Sequence, residues 1–340
     1  MQKSTILAVA REAGVSTATV SRVLTGSKSV SEETANRVLA AAAKLRYSGN
    51  SIAKALRQNS TGNIGMLVPS ISNPFFTALV DQVERRLAGL SLNLFLCDSR
   101  NDPSIEADRL LSLTQGSVDG ILVSPVDMRA SGPALERAAQ IVPIVQIDRR
   151  VPSVESDWVG LDDTHAMEVI IAHLAAQGAR TAAFVTSIGG SSSALDRLHS
   201  AQRACSAHGI RLPAELIFDG EFSLAWGSTA ADRLLSAAPG LPDAIICSDD
   251  LIALGLAGRL AERGVSVPGG VLLTGFDDIE YASLNTPSLT TLRQPLPQIA
   301  SEAVRLLTAN IANSDRAKTR LALQGELITR RSTEVEPVAA

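Results

Sequence analysis

The chain has 340 residues, of which 45% are hydrophobic and only 3% are aromatic, and its formal net charge is −4. This length allows two or three domains, and the composition favours an α/β protein over a β-sandwich. The apolar runs are too short to cross a membrane and the N-terminus lacks the apolar core of a signal peptide, so we expect a cytoplasmic protein.

Residues 5–24 read TILAVAREAGVSTATVSRVL, in which two short helical patterns flank a turn at Gly14-Val15. Ser16 is a predicted N-cap of the second helix, whose buried stripe is Val20, Val23 and Leu24. The side chains left facing outward are Thr17, Ala18, Thr19, Ser21 and Arg22. Small polar residues followed by an Arg suit a helix that enters the DNA major groove. The pattern predicts DNA binding, with an ordinary helical hairpin as the alternative.

Charge is distributed unevenly along the chain. Residues 1–60 contain nine Lys or Arg and three Glu, a net charge of +6, so the remaining residues sum to −10. A basic end on an acidic body is typical of a phosphate-binding headpiece attached to a separate core.

A third helix is predicted from Ser31, its N-cap, to Leu45, with an inner stripe of Val38, Leu39, Ala42 and Leu45. It would complete a three-helix headpiece. A linker follows at 47–50, then a helical pattern over 51–57 that is too short to be stable alone in water.

The rest of the chain alternates apolar strand patterns with amphipathic helices. Strands are predicted at 64–68, 92–97, 120–123, 144–147, 159–161, 181–186, 244–247 and 271–275. Helices are predicted at 75–87, 105–115, 166–177, 196–208, 223–237, 251–263 and 296–311. This rhythm indicates two doubly wound lobes with parallel sheets, whose ligands bind beyond the carboxyl ends of the strands.

Several longer motifs carry a family resemblance, from Thr5 to about Ser332. They are AREAGVSTATVSRVL at 10–24, VSEET at 30–34, residues 50–56, IGMLVPSISNPFF at 64–76, VDGILVSP at 118–125, SDDLIALG at 248–255, GFDDIEYA at 275–282 and SLTTLRQP at 288–295. With these motifs the chain resembles the transcription regulators of the LacI/GalR (lactose-repressor) family.

The resemblance implies three parts. They are a helix-turn-helix headpiece at 1–48, a hinge helix and linker at 49–61 that order on DNA, and a two-lobed core at 62–340 like the periplasmic sugar-binding proteins. The N-lobe would comprise about 62–160 and 293–320, and the C-lobe about 161–291 and 321–332. Family members act as homodimers on near-palindromic operators, and the C-terminal tail has no heptads that would link dimers into tetramers.

The resemblance also assigns the DNA-binding residues. Thr17, Ala18 and Arg22 match base-contacting positions, whereas Thr5, Ser16, Thr19, Ser21 and Asn50 match phosphate-binding or capping positions. In the hinge helix it implies Ala53 and Leu56, the latter as a wedge in the minor groove at a central CpG step. Two departures from the family pattern are Gly49, where Pro is usual, and Leu7-Ala8, where Lys-Asp is common.

A cleft between the lobes is implied as the site of a small-molecule effector. Its residues are Phe75, Phe76, Asp148, Arg149, Arg197, Phe222, Asp249 and Asp277. Carboxylates accept hydrogen bonds from hydroxyl groups and Phe stacks on an apolar sugar face, which favours a neutral sugar. A sugar phosphate, a sugar acid or a nucleobase acting as corepressor are the alternatives, and each acid alone would also fit a helix cap.

The sequence lacks the signatures of common enzyme classes. It has no G-x-G-x-x-G after a strand, no P-loop and no G-x-S-x-G elbow. The four His lack metal-ligand spacing, and Cys97, Cys205 and Cys247 are predicted to be buried free thiols. We therefore predict no enzyme activity, no cofactor and no metal. A nucleotide- or sugar-dependent enzyme and an exported sugar-binding protein are the alternatives of another class.

Overall fold

The computed structural model describes residues 5–24, 30–45, 47, 60–236 and 240–334. The chain divides into two compact units, Met1–Gly62 and Asn63–Ala340. The predicted hinge residues Gly49, Asn50, Ala53 and Leu56 lie outside the described residues.

Among its described residues, the first unit contains three helices, α1 (Ile6–Ala13), α2 (Thr17–Leu24) and α3 (Glu32–Lys44). Each begins at a capping hydroxyl: Thr5 accepts from the backbone N–H of Ala8, Ser16 from that of Thr19 and Ser31 from that of Thr34. Gly14, at a φ of 65°, ends α1 in the left-handed conformation that glycine favours. The predicted caps at Ser16 and Ser31 are therefore confirmed.

These helices enclose a small core of their own, made of Val9, Ala10, Ala13, Val20, Val38, Ala41 and Ala42. Leu39 was predicted to face inward, and this prediction is wrong because the side chain is 51% exposed. Ala41 takes the inner place, since Val38, Ala41 and Ala42 share one helical face and Leu39 is about 100° around the axis from Val38.

The second unit is built from twelve strands and nine helices within the described residues. The strands are β1 (Asn63–Val68), β2 (Asn93–Asp98), β3 (Gly120–Val123), β4 (Ile144–Ile147), β5 (Asp157–Leu161), β6 (Ala182–Thr186), β7 (Ile217–Asp219), β8 (Ala244–Cys247), β9 (Leu272–Asp277), β10 (Thr290–Arg293), β11 (Arg320–Leu323) and β12 (Glu326–Ile328). The helices are α4 (Pro74–Ala88), α5 (Pro103–Thr114), α6 (Gly132–Ala139), α7 (Asp163–Ala176), α8 (Ser192–Ala207), α9 (Leu224–Ser236), α10 (Asp250–Glu262), α11 (Glu280–Leu284) and α12 (Leu296–Ala312).

Two six-stranded sheets define two lobes. The first sheet has the order β11-β5-β4-β3-β1-β2 and is parallel throughout. The second has the order β12-β10-β9-β8-β6-β7 and is parallel except for β12, which runs antiparallel to β10. Apolar side chains are buried on both faces of each sheet, as the continuous apolar strand patterns predicted.

The chain crosses between the lobes three times, after β5, after β10 and after β11. The predicted lobe boundary at 160–161 lies at the end of β5, next to the first of these points. Two predicted boundaries are wrong by a few residues, because Arg293 still belongs to the second sheet and Leu321–Leu323 to the first.

All three cysteines are free, and Cys97 is half-buried rather than fully buried as predicted. None of the helices in the described ranges is both long and apolar enough to cross a membrane.

Helices α9 and α10 approach so closely that glycine is required at their contact. A Cβ atom at Gly255 would overlap the backbone carbonyl of Leu224, whereas one at Gly258 of the same helix would meet no atom within 4 Å. We expect Gly255→Ala to lower the free energy of unfolding by about 1–3 kcal/mol. Gly258→Ala, the matched control, should raise it by up to about 1 kcal/mol. Urea unfolding followed by circular dichroism tests this, and equal stability of the two variants would contradict the close contact.

Candidate functional site

The outward face of α2 carries the predicted base-contacting residues. Thr17, Ala18 and Arg22 are exposed, while Thr19 and Ser21 are half-buried. Ser16 caps the helix, and its hydroxyl lies 2.9 Å from that of Thr19. The face thus consists of small side chains near the helix start and an Arg one turn later, which leaves its backbone accessible to a DNA groove.

Contacts between α1 and α3 fix the frame that carries α2. Arg37 donates through Nη2 to the carbonyl oxygen of Ala13 at 3.0 Å, which satisfies one of the last carbonyls of α1. Lys44 pairs with Glu12 at 2.7 Å, but this pair is largely exposed and contributes little stability. The headpiece is therefore held mainly by its apolar core.

Between the two lobes of the second unit lies a cavity, here called the central cavity. Its lining includes all eight predicted effector residues together with Asn73, Ser193 and Gln294. The first lobe contributes Phe75, Phe76, Asp148 and Arg149. The second lobe contributes Arg197 from α8, Phe222 after β7, Asp249 after β8 and Asp277 at the end of β9. The cavity measures only about 20 Å³, room for about one water molecule, so the lobes are closed on each other.

Arg197 of α8 is the best-connected polar group near the cavity. Its Nε donates to Asp163 Oδ1 at 2.9 Å and its Nη1 to the carbonyl oxygen of Ser248 at 2.8 Å. The guanidinium also lies 3.7 Å from the ring centroid of Phe276 and 3.9 Å from Asp148 Oδ1. Burial opposes its charge, but the surrounding carboxylates, Asp163 first, outweigh burial and raise the pKa of Arg197. It is a fixed cation inside the protein.

Arg149 fills the space between two aromatic rings, one from each lobe. Its guanidinium carbon lies 5.6 Å from the centroid of Phe76 and 5.2 Å from that of Phe222. Cation–π contacts of this kind are strongest where water is excluded, and Arg149 is buried. Burial lowers the pKa of Arg149, partly offset by Asp148. The side chain bridges the closed lobes.

The carboxylates around these two cations are difficult to ionise. Burial raises the pKa of Asp249 to about 6 and that of Asp163 to about 6, against the opposing effect of nearby hydrogen bonds and Arg side chains. Burial also raises the pKa of Asp148, and it raises that of Asp277 well above the usual range even though Arg197 stands nearby. At neutral pH Asp163 and Asp249, whose pKa values are about 6, are mostly ionised and match the two guanidinium groups, so the site offers no excess positive charge to a further anion.

Three buried polar atoms at the cavity have no hydrogen-bond partner among the described residues: Arg149 Nε, Asp249 Oδ2 and Gln294 Oε1. Unpaired buried donors and acceptors cost free energy, so they are rarely left without a partner. Here they offer one donor and two acceptors to a polar ligand.

The backbone places two of the carboxylates in uncommon conformations. Asp148, after β4, has a φ of 60°, and Asp277, the last residue of β9, has a φ of 103°. Strained conformations of this kind cost about 1–3 kcal/mol each and cluster at functional sites. Positive φ also occurs outside the cavity, at Ser91, Arg100 and Asn101. Gln294 Nε2 donates to Asp277 Oδ1 at 2.7 Å and holds this carboxyl group in place.

Three lining residues were absent from the predicted set. Asn73 caps α4 by accepting from the N–H of Phe75 at 2.9 Å, and its position after the first strand was the available signal. Ser193 lies in α8, which begins at Ser192 rather than at 196 as predicted. Gln294 follows β10, a strand that the apolar pattern did not reveal.

Within the described ranges, no group of three or more His, Cys, Asp or Glu side chains is arranged to hold a metal ion. The buried acids at the cavity are instead oriented by Arg197, Gln294 and backbone N–H groups.

Two family models match separate parts of the chain, one in each compact unit. Residues 5–50 match the family model described as bacterial regulatory proteins, lacI family, and residues 171–333 match the periplasmic binding protein-like domain. The repressor PurR of Mannheimia succiniciproducens is 30% identical over 332 residues, 97% of this chain and 99% of PurR. The regulator DegA of Bacillus subtilis is 31% identical over 333 residues, 97% of this chain and 98% of DegA.

Solved structures resemble the whole chain. A complex of the transcriptional regulator CelR with cellobiose is 28% identical with a TM-score of 0.71, covering 97% of this chain and all of CelR. The Lac repressor dimer bound to operator and the anti-inducer ONPF has a TM-score of 0.89 over 98% of this chain and all of that chain. At 24% identity the latter likeness concerns the fold alone.

The ionised carboxylate of Asp249 should lower the free energy of unfolding at neutral pH. Its pKa of about 6 lies above the ordinary 3.8, so the folded state binds more protons and stability falls as the pH rises through this interval. Asn at this position keeps the cap to Ile252 N–H and removes the charge. We expect Asp249→Asn to raise the free energy of unfolding at pH 8 by about 2–3 kcal/mol and to have little effect at pH 4.

The matched control is Asp102→Asn, at the exposed cap of α5. The side-chain hydrogen bond from Ser104, together with backbone N–H groups, lowers the pKa of Asp102, so this variant should not be stabilised at pH 8. Denaturant unfolding of both variants at the two pH values is the measurement. A loss of stability in Asp249→Asn at pH 8 would show that the charge of Asp249 is compensated in the fold.

Proposed function

The chain belongs to the lacI family of bacterial regulatory proteins, and we propose that it is a repressor whose operator affinity changes when a neutral sugar binds in the central cavity. Its relatives are DNA-binding transcriptional regulators rather than enzymes. The observation that carries the proposal is the buried, carboxylate-rich cavity between the lobes, with polar atoms that lack a protein partner.

Charge and shape favour a neutral polyhydroxylated effector over an anion. Asp249 and Asp277 accept hydrogen bonds from sugar hydroxyls, Arg149 and Gln294 provide further polar contacts, and Phe76 and Phe222 offer apolar faces for the ring. The complex of CelR with cellobiose supports the same class of ligand. Because the cavity is closed, the effector enters by separating the lobes and displacing the Arg149 guanidinium from between its two Phe rings.

The DNA-binding role is assigned to the headpiece. The exposed face of α2 presents Thr17, Ala18 and Arg22 to base edges, and the excess of basic residues at 1–60 supplies attraction to phosphates. The hinge residues Asn50, Ala53 and Leu56 are proposed to complete this surface, with Leu56 in the minor groove at a central CpG step.

We further propose a homodimer acting on a near-palindromic operator in the cytoplasm. Support comes from the dimeric Lac repressor of the same fold. It also comes from β2, an edge strand whose Phe95 and Leu96 side chains are exposed. Exposed apolar patches on an edge strand commonly mark an interface.

Regulation follows from the position of the cavity. Its walls belong to both lobes, so an effector changes the relative stability of the closed and open arrangements. The free protein is proposed to favour the arrangement that binds the operator. Because the effector disfavours this arrangement, effector binding releases the repressor from DNA. Lobe movement is proposed to act on DNA through the separation of the two hinge segments in the dimer.

The proposal is tested by fluorescence anisotropy of a labelled palindromic duplex with a central CpG step. We expect salt-sensitive binding at two protomers per duplex, reversed by one member of a panel of neutral sugars. A panel of sugar phosphates, sugar acids and nucleobases is run in parallel. Release only by an anion, or binding that needs a nucleobase, would refute the neutral-sugar inducer. Absence of binding to any duplex in a random-sequence selection would refute operator recognition.

Arg22 is the most specific DNA contact that we propose. Arg22→Ala should weaken operator binding by about 1–3 kcal/mol and reduce discrimination at one base pair in each half-site. Arg11→Ala, at an exposed position on α1, is the control and should leave base preference unchanged. The readout is binding to a set of duplexes with single base-pair changes. Equal base preference in Arg22→Ala and the unaltered protein would remove Arg22 from base recognition.

A further inference from the structure

A second and larger cavity, here called the crossing groove, lies beside the first crossing between the lobes. Its volume is about 340 Å³, within the range of small-molecule sites, about 300–1,000 Å³. One wall comes from the first lobe and the other from α7 and α8 of the second lobe. The lining residues are Arg150, Trp158, Leu161, Asp162, Asp163, Thr164, Asp196, His199, Ser200, Arg203, Arg320 and Ala322.

The acids of the crossing groove are already engaged within the protein. Arg150 Nη2 binds Asp196 Oδ2 at 2.7 Å and holds the two lobes together across the groove. Its guanidinium also lies 4.8 Å from the ring centroid of Trp158. Asp163 is bound by Arg197, and Asp162 accepts from the backbone N–H of His165 at 3.0 Å as the cap of α7. Most of the negative charge is therefore compensated.

The remaining basic side chains keep most of their binding capacity. Arg203 uses one nitrogen, Nη2, to donate to Ser200 Oγ at 2.8 Å. Arg320 and His199 are exposed, and within the described part of the chain their side chains have no hydrogen-bond or ion-pair partner. Two guanidinium groups and an imidazole thus line one groove together with the hydroxyl groups of Thr164 and Ser200. This is donor chemistry that suits a phosphoryl group.

We propose that the crossing groove binds a phosphate monoester, with Arg203 and Arg320 on the phosphoryl oxygens. Arg side chains bind phosphate through paired N–H donors. A phosphate dianion can accept hydrogen bonds from two guanidinium groups at once, and it matches their charge better than a carboxylate does. The volume accommodates an attached sugar, whose hydroxyl groups meet the free carboxylate oxygen of Asp162 and the hydroxyl of Thr164. The site differs from the central cavity in charge as well as in place.

The two cavities share a wall at Asp163. This carboxylate lines the crossing groove and binds Arg197, which lines the central cavity, and Arg150 follows Arg149 in the chain. A ligand in the crossing groove stabilises one arrangement of the lobes and so alters effector binding by a coupling free energy. This coupling, unlike the binding site itself, rests on the proposed function.

Isothermal titration calorimetry of the full chain, without DNA, tests the site with glucose 6-phosphate and inorganic phosphate. We expect both phosphoryl compounds to bind, and the double variant Arg203→Gln/Arg320→Gln to weaken that binding about tenfold or more. Arg137→Gln, an exposed Arg on α6 outside both cavities, is the matched control and should bind as the unaltered protein does.

Two outcomes would overturn the proposal. One is the absence of binding by either phosphoryl compound. The other is binding that the double variant retains, which would place the ligand elsewhere. Operator titration with and without glucose 6-phosphate then tests the coupling. A change in operator affinity that occurs in the unaltered protein and is lost in the double variant supports the coupling. An unchanged operator affinity in a protein that binds glucose 6-phosphate excludes it.

Discussion

Arg197 holds a permanent positive charge between the lobes, and the other charged groups of the central cavity depend on it. Burial raises the pKa of Asp163, Asp148 and Asp277, and in each case Arg197 opposes that rise. Without this cation, ionising the buried carboxylates would cost several kcal/mol per group. The same side chain contacts the carbonyl oxygen of Ser248 and the ring of Phe276, so it also orients the strand ends that form the cavity wall.

The topology determines which groups this cation can reach. Because the chain crosses between the lobes three times, residues from both sheets meet at one boundary, and the carboxyl ends of β4, β8 and β9 open toward it. A closed cavity with bridging contacts such as Arg149 between Phe76 and Phe222 stabilises one lobe arrangement. A ligand that replaces those contacts can select another arrangement. The residues at positive φ and the unpaired polar atoms of the central cavity lower the free energy of unfolding at the place where regulation is proposed to act.

Sequence reasoning succeeded where the pattern is local. The pattern predicts the longer apolar strands and the capped helices. It misses four short strands that contain polar residues and become strand-like only when paired with neighbours: Ile217–Asp219, Thr290–Arg293, Arg320–Leu323 and Glu326–Ile328. The eight effector positions came from a family resemblance, and the structure brings them together in one cavity. The Arg149 bridge and the shared carboxylate of Asp163 could not be predicted, since both depend on distances between segments far apart in the chain.

Occupancy of the central cavity and operator binding are proposed to be two aspects of one equilibrium. The most direct measurement is calorimetric titration of the releasing sugar into the free protein and into the protein–operator complex. Because coupling is reciprocal, we expect the sugar to bind the complex more weakly, by the same factor by which it weakens operator affinity. Equal sugar affinity in the two titrations would contradict the claim, because a ligand with no preference between states cannot shift their populations.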